Sequence, residues 1–182
     1  MSCVLMPLAP GFEEIEAITV IDLLRRAGIE VHTAALGALR VTGSHDIAVE
    51  ADILLDDARA GDYDMIVLPG GMPGAEHLKQ DARVIELLRQ FATQGRYTAA
   101  ICAAPGVLAH AGLLTGRAAT SFPGFLDAGS APGIRLKSEP VVTDGKVVTS
   151  RGPGTAIDFG LALIELLEGP EARRVVEERL QR

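Results

Sequence analysis

The chain has 182 residues, 48% of them hydrophobic, with 20 glycines and 10 prolines spread along it rather than pooled. That composition suits one globular domain over residues 1–182, with a core of its own, and excludes a disordered chain. A formal net charge of −7, only 4% aromatic residues and no tryptophan leave no basic stripe for direct binding of a nucleic-acid backbone or an anionic membrane.

The N-terminus, MSCVLMPLAPGFEEIEA, has no positive region and turns acidic by residue 13, and no run of eighteen apolar residues occurs. Neither a signal peptide nor a membrane span is expected. Cys3 and Cys102 lie far apart and give no disulfide framework and no metal-ligand spacing, so a cytoplasmic protein without a metal is expected.

Cys3–Leu8 reads as a first strand and Ala9-Pro10-Gly11 as a turn. Ile15, Ile18, Ile21, Leu23 and Leu24 at helical spacing predict a helix over about 13–27. Its first turn is acidic (Glu13, Glu14, Glu16), its last basic (Arg25, Arg26), and Gly28 stands where a C-terminal cap belongs. Glu30–Leu36 reads as a second strand and residues 39–50 as a small hairpin, with Gly43 near its turn. Asp64–Pro69 is a third, buried strand running into Gly70-Gly71, and Asp81–Thr93 an amphipathic helix ended by Gly95. Tyr97–Ile101 is a fourth strand, stopping at Cys102 before an Ala/Leu-rich helix. A short strand near 118–121, a Gly/Pro-rich loop over 123–133 and a hairpin follow, the hairpin pairing Pro140–Thr143 with Lys146–Ser150 through Asp144-Gly145. Helices over about 154–168 and 170–181 close the chain.

Buried strands alternating with helices require crossover connections, hence an α/β fold: a doubly wound, mostly parallel sheet with helices on both faces. Ligands on such sheets sit beyond the carboxyl ends of the strands. That rule singles out residues 9–16, Gly70-Gly71 and Cys102, which should converge in one crevice.

Cys102 on a strand-to-helix turn has the geometry of a nucleophile elbow, and a helix N-terminus favours thiolate over thiol. The alternative is a buried thiol packed as a small hydrophobe. Gly70-Gly71 after a strand can offer N–H groups that, with the N–H of Ala103, form an oxyanion pocket, or it is an ordinary tight turn. Neither GxxxxGK[ST] nor GxGxxG occurs, and no cofactor is expected. Among the glutamates, 13 and 16 share a helix face and 14 points elsewhere. A glutamate kept protonated by burial beside the cysteine would serve as a proton shuttle. His32 in a strand, His77 in a surface turn, His110 two helical turns past Cys102 and His45 in the hairpin complete no cysteine–histidine pair.

The stretches GFEEIEA (11–17), DLLRRAGI (22–29), VLPGG (67–71), AAICAAP (99–105) and TSRGPGTAIDF (149–159), in this order, resemble the ThiJ/PfpI family, in its DJ-one branch. The resemblance covers essentially the whole chain. It implies a flavodoxin-like α/β/α sandwich, a homodimer, and an elbow cysteine, Cys102, hydrogen-bonded by a protonated Glu16. It further implies oxyanion donors at Gly71 and Ala103, and a substrate pocket bounded by Gly70, Ser150, Arg151, Gly152 and Pro153. Dimer-edge contacts fall on Arg26 and on His45, where relatives carry an arginine.

Family proteases place a histidine directly after the cysteine, where this chain has Ala103, so proteolysis is not expected. Many relatives carry a pocket histidine where this chain has Phe122. The implied activity is a cofactor-free, glutathione-independent glyoxalase or deglycase acting on small reactive 2-oxoaldehydes or glycated amines. The alternatives are a redox sensor and holdase-type chaperone working through oxidation of Cys102, and a structural module with an inert cysteine.

Overall fold

β1 (Cys3–Leu8) is a nearly continuous buried apolar run, as a central parallel strand covered on both faces must be. It feeds α1 (Glu14–Arg26), whose first free N–H groups are capped by the Glu13 carboxylate at the N–H of Ile15. Gly28, at φ +77°, then turns the chain into β2 (Glu30–Ala35). The computed structural model describes residues 1–181. A hairpin of β3 (Arg40–Thr42) and β4 (Ala48–Glu50) stands apart from the sheet, and β5 (Ile53–Leu54) is its far edge. β6 (Met65–Leu68), α2 (Gly74–Gln80), α3 (Ala82–Thr93), β7 (Tyr97–Ile101) and α4 (Pro105–His110) follow. β8 (Ala118–Ala119) pairs with β9 (Arg135–Leu136) in a separate ribbon. β10 (Val141–Asp144), β11 (Val147–Ser150), α5 (Ala156–Glu168) and α6 (Pro170–Arg179) complete the chain.

The seven-stranded sheet has the order β10-β11-β7-β6-β1-β2-β5. Every neighbouring pair is parallel except β10 with β11. Alternate residues of each strand feed two apolar layers. Leu5, Ile66, Leu68 and Ala100 pack with Leu78, Leu88, Phe91 and Val107 of α2, α3 and α4. Val4, Met6, Val67, Ala99 and Ile101 pack with Val20, Leu24, Phe159 and Ile164 of α1 and α5. This is a flavodoxin-like sandwich, with helices on both faces of the sheet. α1 and α5 approach so closely that a Cβ on Gly160 would stand 2.6 Å from Leu23 Cδ1.

Local details depart from these expectations or add to them. His77 lies inside α2, a helix too short for its periodicity to register, and not in a surface turn. The helix after Cys102 stops at His110. The Gly/Pro-rich loop leads into a strand of its own, β9. In the β10–β11 hairpin Asp144 pairs with Val147, so the turn residues are Gly145, at φ +63°, and Lys146. Asp144 instead spends its carboxylate on the Ala118 N–H and on Arg117 and Arg135. Among the described residues no helix is long and apolar enough to cross a membrane.

Candidate active site

β7 ends at Ile101, and Cys102 takes the left-handed conformation, φ +64°. For a residue with a Cβ this costs on the order of 1–3 kcal/mol, so its surroundings must impose it. They do so through the backbone: the Cys102 N–H donates to Ser150 O (3.0 Å), its carbonyl accepts from the Phe122 N–H (2.9 Å), and Ala104 N–H closes back on Ile101 O (3.0 Å). The outcome is a strand–turn–helix elbow that carries the thiol at the carboxyl end of the sheet.

The first turn of α1 delivers Glu16 to the same place. Its side chain is fully buried, and Oε2 accepts the Gly70 N–H at 2.8 Å. A Cβ on Gly70 would lie 2.7 Å from Cys102 Cβ and 2.8 Å from Glu16 Oε2, so thiol and carboxyl flank a position that only glycine can fill. Glu16 Oε1 is buried without a well-formed hydrogen bond, although the Cys102 thiol is near enough to act on the carboxyl's titration. The aligned carboxyl–thiol bond implied by the resemblance is therefore not closed in this geometry.

Burial pushes the Glu16 carboxyl up to about 7; the Gly70 N–H and the Cys102 thiol oppose the rise and Glu13 reinforces it. Burial also pushes the Cys102 thiol up, to about 12, reinforced by the Glu16 carboxyl beside it. The N–H groups of Gly71 and Ala103 pull the other way. The thiolate favoured by a helix N-terminus is opposed first by burial and then by the Glu16 carboxyl, and α4, with only six residues, does not outweigh them. The pair loses its first proton at about 7, holds one negative charge above that, and titrates as a unit.

The other two glutamates have separate work. Glu13 caps α1. Glu14 reaches the β3–β4 hairpin, where Oε1 accepts from the N–H of His45 (2.7 Å) and Ile47 (3.3 Å) and Oε2 meets Ser44 Oγ and His45 Nδ1. Burial alone would raise the Glu14 carboxyl, but these partners outweigh it and hold it at about 2. Arg26 is exposed and pairs with Asp22 one turn earlier. Neither His45 nor Arg26 meets Cys102 within this chain. His32 bonds Tyr63 and Glu30, and His77 bonds Pro10 O.

Sequence reasoning missed the tightness of the glycines under the site. Gly71, at φ +88°, would carry a Cβ 2.3 Å from Glu13 N, and Gly74 one 2.6 Å from Gly11 O. Their only signal in the sequence is that of turn residues. Phe122, whose N–H bonds the Cys102 carbonyl, lines an open groove of about 250 Å³ with Pro123, Arg151, Gly152, Pro153, Gly154 and Thr155; Cys102 and Gly70 are not part of that lining. Ser150 does not face it, which corrects its assignment to the substrate pocket. Its hydroxyl is buried against Pro140 O and Thr155 Oγ1, both at 2.7 Å, and Ser150 serves the elbow through its carbonyl. Arg151 Nη1 donates to Ser138 O.

The sequence matches the model of the DJ-1/PfpI family over residues 2–166. The chain belongs to the DJ-1/PfpI family. Relatives include DJ-1 homologs B and A of Arabidopsis thaliana, 41% and 42% identical over 92% of this chain but only 38% and 43% of theirs. The chain thus spans about two fifths of the length of those proteins. A family member named deglycase PfpI, from Pyrococcus furiosus, is 33% identical over 88% of this chain and 96% of its own. The solved structure of oxidised DJ-1 from Toxoplasma gondii superposes with a TM-score of 0.93 at 39% identity, covering 100% of this chain and 98% of that one.

Proposed function

We propose that this DJ-1/PfpI protein is a cofactor-independent cysteine enzyme that converts 2-oxoaldehydes such as methylglyoxal to 2-hydroxy acids, or removes their early adducts from amines. The observation that supports this best is a buried carboxyl titrating near neutrality beside an elbow thiol that receives two backbone N–H groups. In the singly charged pair, Cys102 Sγ forms a bond to the aldehyde carbon and its proton passes by way of Glu16 to the new oxygen, giving a hemithioacetal. Glu16 takes the proton from that carbon and delivers one to the neighbouring carbon, as electrons shift through an enediol, leaving a thioester of the 2-hydroxy acid. Water cleaves the thioester, releasing the acid and restoring the thiol. One water is added overall, with no net oxidation. Holding the adduct covalently divides one hard step into easier ones, and a positioned carboxyl contributes about 10²–10⁴-fold. Developing negative charge on oxygen falls to the N–H groups of Gly71 and Ala103, and such donors are each worth about 10²–10³-fold.

The deglycase name of the Pyrococcus relative supports amine adducts as an alternative form of the same substrate class. Cys102→Ser is expected to abolish lactate formation from methylglyoxal, while turnover retained in that variant overturns the reading.

A second reading rests on the oxidised state of the Toxoplasma relative: a redox sensor and holdase in which Cys102, only partly buried, is oxidised to a sulfinate held beside Glu16. Intact mass after mild peroxide, measured beside steady-state kinetics, separates the two. A gain of two oxygens on Cys102 with negligible turnover selects the sensor.

A further inference from the structure

At the opposite end of the sheet from Cys102, the N-terminal ends of β1 and β2 bring three chemically different ligand atoms together. Cys3 and Glu30 are register partners in the parallel pair, and His32, two residues on, projects to the same side as Glu30. Cys3 Sγ, a Glu30 carboxylate oxygen and a His32 ring nitrogen all lie within 4.8 Å of one another. His32 Nε2 is 2.9 Å from Glu30 Oε1, while Nδ1 is engaged by Tyr63 Oη at 3.1 Å, the two rings standing edge-on at 86°. Metal-binding imidazoles are commonly fixed in this way, one nitrogen tied to a neighbouring group and the other left to the ion. The surroundings are negative: Asp64 accepts the Cys3 N–H at 2.9 Å, and the charges of Glu30, Asp64 and Asp62 all bear on the sulfur. Cys3 and His32 are half-buried and Glu30 is exposed, which leaves an entry path.

We propose that Cys3, Glu30 and His32 form a binding site for a divalent transition-metal ion of the zinc class, with a fourth position left to water. A thiolate, an imidazole and a carboxylate together suit a borderline-soft ion; Mg²⁺ and Ca²⁺ prefer oxygen ligands alone. Drawing atoms that lie within 4.8 Å of one another onto bonds of about 2.0–2.3 Å asks the exposed Glu30 side chain to rotate and exchange its His32 contact for the metal. The Cys3 thiol gives its proton to solvent on binding, and His32 ligates as neutral imidazole. The sequence carries no metal signature here, because the ligands converge through pairing of two strands and not through spacing along one segment.

The test is a Co²⁺ titration of Cys102→Ser protein, in which Cys3 is the one thiol left. The expected result is a saturable 1:1 thiolate-to-cobalt charge-transfer band, displaced by Zn²⁺ and lost when Cys3→Ser is added. In the same background His32→Gln is expected to weaken Co²⁺ binding at least tenfold, and Tyr63→Phe about 10–100-fold. Should Cys3→Ser prevent folding, Zn²⁺ protection of Cys3 from iodoacetamide, read by peptide mass, takes its place. Three results overturn the site: no charge-transfer band, a band that survives Cys3→Ser, or binding abolished by His45→Ala, which would place the metal at Glu13, Glu14 and His45. Failure of Zn²⁺ to slow alkylation does so as well.

Discussion

Glu16 and Cys102 meet across Gly70, and burial raises both acids at once, the carboxyl to about 7 and the thiol to about 12. Two anions in contact cannot both be accommodated here, so the charge that appears near neutrality belongs to the pair. Which atom carries it is a matter of proton position within one macroscopic state. The Gly71 and Ala103 N–H groups favour sulfur, and the Gly70 N–H favours oxygen. A substrate carbonyl arriving at the sulfur tips that balance.

The pH dependence of Cys102 reactivity follows. Its alkylation by iodoacetamide, resolved from that of Cys3 by peptide mass, is expected to rise through about pH 7 as the pair loses its first proton, and methylglyoxal turnover should share that step. In Glu16→Gln the step disappears and the thiol titrates alone against burial and its two N–H donors. An unchanged profile in that variant removes Glu16 from the activation of Cys102.

Glu16 also carries a cost in stability whose sign is set by linkage. Its folded-state value lies above the ordinary 4.5, so the folded protein holds the proton more tightly and loses stability as pH rises from about 4.5 to about 7. A shift of this size corresponds to on the order of 3 kcal/mol. Glu16→Gln is therefore expected to melt with the parent below pH 4.5 and above it at pH 8, at roughly 2–4 °C per kcal/mol for a chain of this size. Thermal melts at the two pH values check this. A variant less stable than the parent at pH 8 would mean that the carboxylate holds the fold together.

The buried strands and the elbow were legible because buried parallel strands are short apolar runs, and Cys102 interrupts one just before a helix; the order of the strands in the sheet was not. Periodicity could leave Glu13 and Glu16 as the pair sharing a face, and packing then sends Glu16 inward while Glu13 caps the helix. What sequence could not supply were properties made by the third dimension. The raised thiol depends on its own burial and on how α1 seats Glu16 against it. Ser150 turns inward because Thr155 and Pro140 lie behind it. Cys3 meets His32 only through the register of two strands.

Gly70 offers a probe of the geometry that leaves chemistry untouched. A methyl group there would stand 2.7 Å from Cys102 Cβ and 2.8 Å from Glu16 Oε2, forcing the two side chains apart. Gly70→Ala is expected to cost about 1–3 kcal/mol of stability from overpacking and to lower kcat for methylglyoxal by about 10²-fold, as misplacement of about 1 Å does. Chemical denaturation and steady-state kinetics on one preparation measure both. Wild-type kcat with a folded protein would show that the spacing of thiol and carboxyl is not critical.

Glu14, two residues before the proton carrier, anchors the β3–β4 hairpin to the start of α1, and Gly43 packs against its carboxylate, a Cβ there falling 2.3 Å from Oε1. Glu14→Ala leaves the N–H groups of His45 and Ile47 without their acceptor, at about 1–3 kcal/mol if they stay out of water. The hairpin lies outside the central sheet, so the loss is expected as local opening: faster hydrogen exchange at residues 43–48 with little change over β1, β6 and β7. In the parent protein the same opening should be driven by acid. The Glu14 carboxyl is held at about 2, below its ordinary 4.5, so the anchor is intact above 4.5 and fades as pH falls toward 2. Exchange in the hairpin that is as slow in Glu14→Ala as in the parent would show that strand pairing alone, and not this carboxylate, fixes the segment.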